Sequence, residues 1–300
     1  MNFIFDWQNV TITEFGVGRD DADPPFSVLP VDPEVQTALR QMCAATWSAM
    51  QKLTTNPPHY EPSEKYASHE YVYLPFGDDL AERMRQLHNA ANLPTDSSAL
   101  EQASKIFCYF VRLTDGQGQR LTALRRAAQF KGILKSHLIR FVTDSLKLIE
   151  DKVFKLDVDF DLLVDSQNVH ILRPDAFGFA SQLQQAILSA VPKNVAAIRH
   201  DLNFVEFSGI QEYASRHTRA ARYLASIRSQ HETKNVDKAA LKKLCKSNNV
   251  EIKEANGKIH VEEDSVMDFL EVLDRRRYQL ELVKGSPERF KAASRSRLRN

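Results

Sequence analysis

The spacing of apolar positions predicts a mainly helical start to the chain. Asp32, followed by a proline and a glutamate, is typical of a helix N-terminus, and apolar residues at helical spacing continue to about residue 53. A short strand at 71–74 and a helix from Asp78 to about residue 92 follow. We therefore expect a helical region over the first hundred residues, with short strands and loops before its first helix.

The middle of the chain changes to a period of two. Residues 105–113 form a nearly continuous apolar strand, and a glycine-containing turn leads to a second strand from Arg120. Short strand segments then follow one another at 139–142, 146–149, 152–156, 160–164 and 169–172. Consecutive strands without intervening helices favour an antiparallel meander over βαβ units.

The last third returns to helical spacing. We predict helices at 174–191, 210–230, 238–248 and 264–277. Asn256 and Gly257 lie between two alternating segments, and both residue types tolerate the positive φ angles of a type I′ hairpin turn. Residues 236–278 are thus predicted to form a helix–hairpin–helix subdomain.

These elements predict an α+β fold with a central antiparallel β-meander, flanking helices and a C-terminal helix–hairpin–helix subdomain. We expect three parts: an acidic, mainly helical region at 1–100, the sheet with helices at 101–235, and the basic subdomain and tail at 236–300. A chain of 300 residues and 34.2 kDa has room for one large domain or two to three smaller ones.

The amino-acid composition indicates which general class of protein this is. With 43% apolar and 26% charged residues the chain matches a soluble globular protein, which excludes extensive disorder and collagen-like structure. No apolar run approaches the ~20 residues that span a bilayer, and the first residues lack the basic start and apolar core of a signal peptide. We expect a cytoplasmic protein that reaches the inner membrane only through a partner.

The net charge of +1 conceals an uneven distribution. Residues 1–116 contain 8 basic and 16 acidic residues, a net charge of −8, whereas residues 117–300 contain 32 and 23, a net charge of +9. Two segments, 214–246 and 275–300, each contain 9 basic and 2 acidic residues. Such asymmetry predicts an anionic partner for the basic part.

The basic clusters favour nucleic-acid binding. Arg216, Arg219 and Arg222 step by three, which would place them along one flank of the predicted helix. Grouped cations neutralise phosphates and release counterions, and this gives sequence-independent affinity for duplex DNA. Our candidate DNA contacts are Arg216, Arg219, Arg222, Arg228, Lys242, Lys243 and Lys246, with Arg295, Arg297 and Arg299 as secondary contacts.

Two other interpretations of the same clusters stay open. Basic helical faces are often simply solvated, and the eight acids of residues 247–274 could neutralise the clusters within the protein. Alternatively, the basic surface could meet an acidic protein partner and make the chain a protein-only adaptor.

The sequence supports an enzymatic function less well than nucleic-acid binding. Asp157, Asp159 and Asp161 would share one face of a strand and could hold Mg²⁺, so a magnesium-dependent nuclease is the enzymatic alternative, although no acid-x-Lys strand follows. Gly16 and Gly18 form half of a dinucleotide-binding signature without a following helix, and we predict a turn there. His170 is predicted to be an ordinary strand residue.

The remaining motifs do not indicate a cofactor. The three cysteines are widely spaced, and the nine histidines form no metal-binding pair, so we expect no structural metal and no cofactor. No nucleophile–base arrangement is evident, which favours a protein that is not an enzyme.

Several segments resemble the KwaB-like proteins of the Kiwa antiphage-defence system. They are the strands around Lys152–Asp157, Phe160–Val164 and Val169–Leu172, the helix start at Phe177, Leu244-Cys245, Asn256–Ile259, Phe269–Leu273 and the arginine-rich end. The resemblance spans about residues 100–298, and Gly178 stands where the family has an acid. Its motifs are structural.

The resemblance implies a cytosolic DNA-binding component that works with a separate membrane protein, KwaA, and restrains phage propagation. It implies no catalytic residues. We add the expectation of a homo-oligomer, a dimer in the first instance, whose acidic front serves for self-association or for docking on the membrane partner.

Overall fold

The chain folds into two compact units. The computed structural model describes residues 3–53, 56–97, 105–127, 138–142, 145–149, 156–229 and 236–292. The first unit contains the described residues up to His59 together with those of Ala67–Leu183. The second contains Tyr60–Tyr66 and the described residues from Gln184 onward.

The first unit is built on a seven-stranded antiparallel sheet. The strands of this unit are β1 (Val10–Arg19), β2 (Phe26–Leu29), β3 (Val72–Pro75), β4 (Ile106–Asp115), β5 (Arg120–Arg126), β6 (Leu138–Val142), β7 (Ser145–Ile149), β8 (Leu162–Val164) and β9 (Asn168–Ile171). The sheet has the order β2-β1-β4-β5-β8-β9-β3, and all of its neighbouring pairs are antiparallel. β6 and β7 pair with each other in a separate hairpin.

Among the described residues, three helices belong wholly to this unit: α1 (Pro33–Gln51), α2 (Glu82–Asn89) and α3 (Pro174–Ala180). Asp32 caps α1 by accepting a hydrogen bond from the Val35 amide at 2.9 Å, as its sequence predicts. α1 packs on the sheet face that carries Tyr109, whereas Arg112, three positions further along β4, points to the other face and donates to carbonyls at the end of α2. The two helices therefore cover opposite faces.

The predicted turn at Gly16 and Gly18 is wrong. Both glycines lie inside β1, which pairs with β2 on one side and β4 on the other. A Cβ atom at Gly16 would lie 2.3 Å from both the Phe110 ring and the Ser27 carbonyl oxygen. Glycine is required here because the neighbouring strand and ring approach the backbone closely.

The second unit is mainly helical. Its helices are α4 (Leu183–Ser189), which begins at the last residue of the first unit, α5 (Val191–Asp201), α6 (Ser208–Arg216), α7 (Thr218–Ser229), α8 (Lys238–Ser247) and α9 (Val266–Leu273). Its described residues also form two hairpins: β10 (Lys253–Ala255) with β11 (Lys258–His260), and β12 (Arg277–Val283) with β13 (Ser286–Lys291). Asn256 and Gly257 have φ angles of 52° and 75°, which confirms the type I′ hairpin.

The α+β class, the antiparallel sheet and the helix–hairpin–helix subdomain of α8, β10–β11 and α9 are confirmed. Two predicted helices are each broken. The helix expected at 174–191 is interrupted at Gln182, whose φ is 49°, and the helix expected at 210–230 is interrupted at His217, which is extended with φ −124° and ψ 102°. The β12–β13 hairpin was not expected, since its residues lack an Asn-Gly signal.

Among the described residues, no helix combines the length and apolar character needed to cross a membrane.

Candidate nucleic-acid interface

A cleft of about 640 Å³ in the second unit gathers basic side chains from three parts of the chain. Arg219 and Arg222 come from the first turns of α7, Lys65 from the segment Tyr60–Tyr66, and Lys291 from the end of β13. α7 directs both arginines to the cleft because residues three apart lie on the same side of a helix. The cleft therefore brings together cations that are far apart in sequence.

Two of these cations, Arg219 and Lys291, share the carboxylate of Glu271 with Arg277. Glu271 is 1% exposed and accepts hydrogen bonds from Arg219 at 3.4 Å, from Arg277 at 2.9 Å and from Lys291. Burial would raise the pKa of Glu271, but hydrogen bonds from Lys291 and Arg277 outweigh it and lower that pKa below its ordinary value. Arg277 also pairs with Asp268, so three cations face two carboxylates.

Lys65 and Arg222 add to this excess of positive charge, and Arg219 is accessible to an anion. The side chain of Arg219 is 64% exposed, and Lys65 is exposed. The Nε atom of Arg222 is buried and has no hydrogen-bond acceptor among the described residues. Glu64 also lines the cleft, but its carboxylate lies 2.6 Å from the buried guanidinium of Arg276. An anion in the cleft would meet several cations and little opposing charge.

The other predicted DNA contacts occupy different surroundings. Arg228 donates to the side chain of Asn194 at 2.9 Å, and Lys242 pairs with Glu254 at 2.5 Å. Lys243 and Lys246 are exposed on α8. Arg295, Arg297 and Arg299 lie outside the described residues.

The predicted alignment of Arg216 with Arg219 and Arg222 is wrong, because His217 separates α6 from α7. Arg216 belongs to the end of α6, where its guanidinium lies 3.5 Å from Glu212 and 3.3 Å from Glu263. Its charge is already balanced on the surface.

The aspartates of the nuclease alternative lie in the first unit. β8 begins only at Leu162, so Asp157, Asp159 and Asp161 do not alternate along a strand as predicted. Arg125 lies 3.3 Å from Asp157, 2.6 Å from Asp159 and 3.0 Å from Asp161.

Arg173 contacts two of the same carboxylates, each at 2.7 Å. Two guanidinium groups therefore occupy the position that a metal cation would need. In the part of the chain that the structure describes, no group of three or more acidic, histidine or cysteine residues has the geometry to hold a metal ion.

Comparison with protein families identifies the chain. Residues 103–282, more than half of the sequence, match the family model described as Kiwa protein KwaB-like. The chain belongs to the KwaB-like family. The earlier resemblance is thereby confirmed, and membership implies a component of the Kiwa antiphage-defence system. No curated protein and no solved structure matches this KwaB-like chain.

The range matched by the family model includes only some of the residues at the cleft of this KwaB-like protein. Arg219, Arg222 and Glu271 lie inside the matched range, whereas Lys65 and Lys291 lie outside it. Neither lysine was predicted from the sequence as a site residue. Lys65 stands alone in a predicted loop, and only the inclusion of the segment Tyr60–Tyr66 in the second unit brings it near the arginines. For Lys291, the sequence signal that could have identified it was its position in the basic segment 275–300.

Proposed function

We propose that this Kiwa component binds duplex DNA through its phosphates, without reading base sequence, and that the basic cleft of the second unit is a principal contact. The observation that carries the proposal is the convergence of Arg219, Arg222, Lys65 and Lys291 on one cleft. Neither Lys65 nor Arg222 has an ion pair within the described ranges. Arginine and lysine groups of this kind make the electrostatic contacts on which non-specific DNA affinity depends.

The chemistry of the cleft suits phosphate better than base edges. Arg219 and Arg222 offer planar guanidinium groups that donate paired hydrogen bonds to phosphate oxygens, and Lys65 and Lys291 add point charges. The exposed Lys243 and Lys246 of α8 supply further candidate phosphate contacts. Phosphate contacts position DNA without reading its sequence, as a defence component that meets many phage genomes requires.

The proposed partners extend this function. We infer that the protein works in the cytoplasm with the membrane protein KwaA, which would recruit it to the inner membrane. The net charge of −8 over residues 1–116 supports docking on a basic surface of that partner. A homodimer remains our prediction for the oligomeric state.

Salt dependence of binding tests the proposal. Fluorescence anisotropy would be measured with two duplexes of unrelated sequence between 50 and 200 mM salt. Three phosphate contacts give a log–log slope of about −2.7, or a loss of affinity of about 40-fold over this range. Equal affinity for both duplexes is expected because the contacts are to the backbone. A flat salt response would overturn the proposal.

A double variant tests whether DNA contacts the basic cleft. Arg219→Gln with Arg222→Gln should weaken binding at least tenfold and make the salt slope shallower by about 1.8, because two phosphate contacts are lost. Arg216→Gln is the matched control, since Glu212 and Glu263 already balance that arginine. Equal losses from the two changes would show that the cleft is not the site.

The two alternative functions are tested with the same preparation. Plasmid degradation with Mg²⁺ that stops with EDTA and in Asp159→Asn would favour the nuclease. DNA retention unchanged in the Arg219 and Arg222 variant, together with loss of a protein partner, would favour the adaptor.

A further inference from the structure

A second cavity, of about 520 Å³, lies in the first unit and is lined by aromatic rings. Phe3, Trp47, Tyr71 and Tyr73 contribute these rings. The ring centroids of Phe3 and Trp47 are 5.6 Å apart, and the Trp47 centroid is also 5.6 Å from that of His170, both in edge-to-face geometry. These contacts hold the rings in fixed orientations, so the cavity offers preformed aromatic surfaces.

A chain of hydrogen bonds fixes the polar side of the cavity. Asp165 is 1% exposed and accepts hydrogen bonds from the amides of Gln167 and Asn168, each at 2.7 Å. Its other oxygen lies 2.9 Å from Nε2 of His170, and Nδ1 of His170 lies 2.8 Å from the Tyr71 hydroxyl. All three side chains line the cavity.

The direction of these hydrogen bonds follows from the carboxylate. An ionised carboxylate only accepts, so Nε2 of His170 carries a proton and donates to Asp165. In the neutral imidazole Nδ1 is then the acceptor, and the Tyr71 hydroxyl donates to it. The lone pairs of the Tyr71 oxygen remain able to accept a hydrogen bond from a ligand.

The Tyr71 hydroxyl suits binding better than nucleophilic chemistry. Burial, together with the charge of Asp165, raises the pKa of Tyr71 to about 12. The group therefore stays protonated near neutral pH and acts as a hydrogen-bonding group.

The cavity lacks the charge that a phosphate or a carboxylate ligand would need. No lysine or arginine is among its described lining residues, and its one carboxylate is already engaged by His170 and two backbone amides. Carboxamide side chains of Gln51, Asn56, Gln167 and Asn168 also line it. Aromatic faces combined with carboxamides and a hydroxyl are the groups that stack and hydrogen-bond with a nucleobase.

We propose that this cavity binds a single unstacked nucleobase, which lies against the aromatic rings and donates a hydrogen bond to the Tyr71 hydroxyl. A phosphate attached to the nucleoside would stay outside, where no lining cation holds it. The base could come from a free nucleoside or from an extruded position in a DNA strand, since both present the same ring and edge.

The full chain can be tested with a fluorescent base. The probe is 2-aminopurine, whose emission falls when it stacks on an aromatic ring, supplied as the free riboside and, in a second arm, opposite an abasic site in a duplex. Saturable quenching by the riboside assigns the site to free nucleosides, and quenching in the duplex alone assigns it to extruded bases. Saturable quenching in neither arm would overturn the proposal.

Two variants test whether the base binds in this cavity. Tyr71→Phe keeps the ring and removes the hydroxyl, so affinity should fall about fivefold, the value of one hydrogen bond. Gln167→Ala shortens an exposed side chain at the cavity and is an independent test if Tyr71→Phe disturbs the fold. The matched control is Tyr213→Phe, a tyrosine of α6 in the second unit. Quenching affinity that neither cavity variant lowers would show that the base binds elsewhere.

Discussion

The buried carboxylate of Asp161 and the partly exposed guanidinium of Arg173 form an ion pair with a distance of 2.7 Å. Asp161 is 2% exposed, and it also receives the backbone amide of Arg126 at 2.8 Å and the side chain of Arg125 at 3.0 Å. This carboxylate therefore connects the end of β5 with the segment that precedes α3. Its role is to hold the first unit together.

Asp161→Asn should destabilise the protein by about 3 kcal/mol, because it leaves two guanidinium groups with less compensating charge in a buried place. The measurement is the free energy of unfolding from urea denaturation. Asp159→Asn is the control. The Asp159 side chain is 40% exposed, and a loss below about 1 kcal/mol is expected for such a pair. Equal losses from the two changes would contradict the structural role assigned to Asp161.

Gly16→Ala should destabilise the first unit by about 3 kcal/mol, because its methyl group would overlap the Phe110 ring and the Ser27 carbonyl. Gly77→Ala is the matched control, since no atom lies within 4 Å of a Cβ built there. Thermal unfolding followed by circular dichroism compares the two. A Gly16→Ala protein as stable as the Gly77→Ala protein would mean that β1 does not pack as described.

His88 should make stability depend on pH in acid. Burial, reinforced by the charge of Arg120, lowers the pKa of His88 from 6.5 to about 4, while its Nδ1 lies 3.0 Å from the Thr122 hydroxyl. Between these two values the unfolded chain binds a proton that the folded chain does not. The contribution of His88 is therefore complete above about pH 6.5, and up to about 3 kcal/mol is lost as the pH falls to about 4.

Urea denaturation between pH 7.5 and 4.5 measures this effect. His88→Gln should have a shallower pH dependence than the unmodified chain, since the titrating group is gone. His69→Gln replaces an exposed histidine and should leave the slope unchanged. The same slope in all three proteins would contradict the assignment to His88.

The sequence was informative wherever a local rule determines structure. The cap at Asp32 and the turn at Asn256-Gly257 were both predicted, because each depends on residues within a few positions of one another. Helix breaks at Gln182 and His217 escaped prediction, since the surrounding residues keep helical spacing and no glycine or proline marks the interruption. Tertiary packing overrides local preference there.

Prediction of the candidate sites from local sequence was limited in the same way. Charge grouping pointed to Arg219 and Arg222, but it also included Arg216, whose acidic partners come from other turns and elements. Lys65 and Tyr71 were missed as site residues because their partners are roughly a hundred or more positions away. Contacts at such separations leave no periodic signal in one sequence.

The order of strands in the sheet has a consequence for synthesis of the protein. When the first hundred residues have left the ribosome, β1 and β3 have emerged, but β4, one partner of β1, and β9, the partner of β3, have not. β9 ends at Ile171, so about seventy further residues must emerge, which takes roughly 4 to 14 s at ordinary rates of synthesis. During that time the nascent chain exposes unpaired strand edges, and a chaperone that shields them should raise the yield of folded protein.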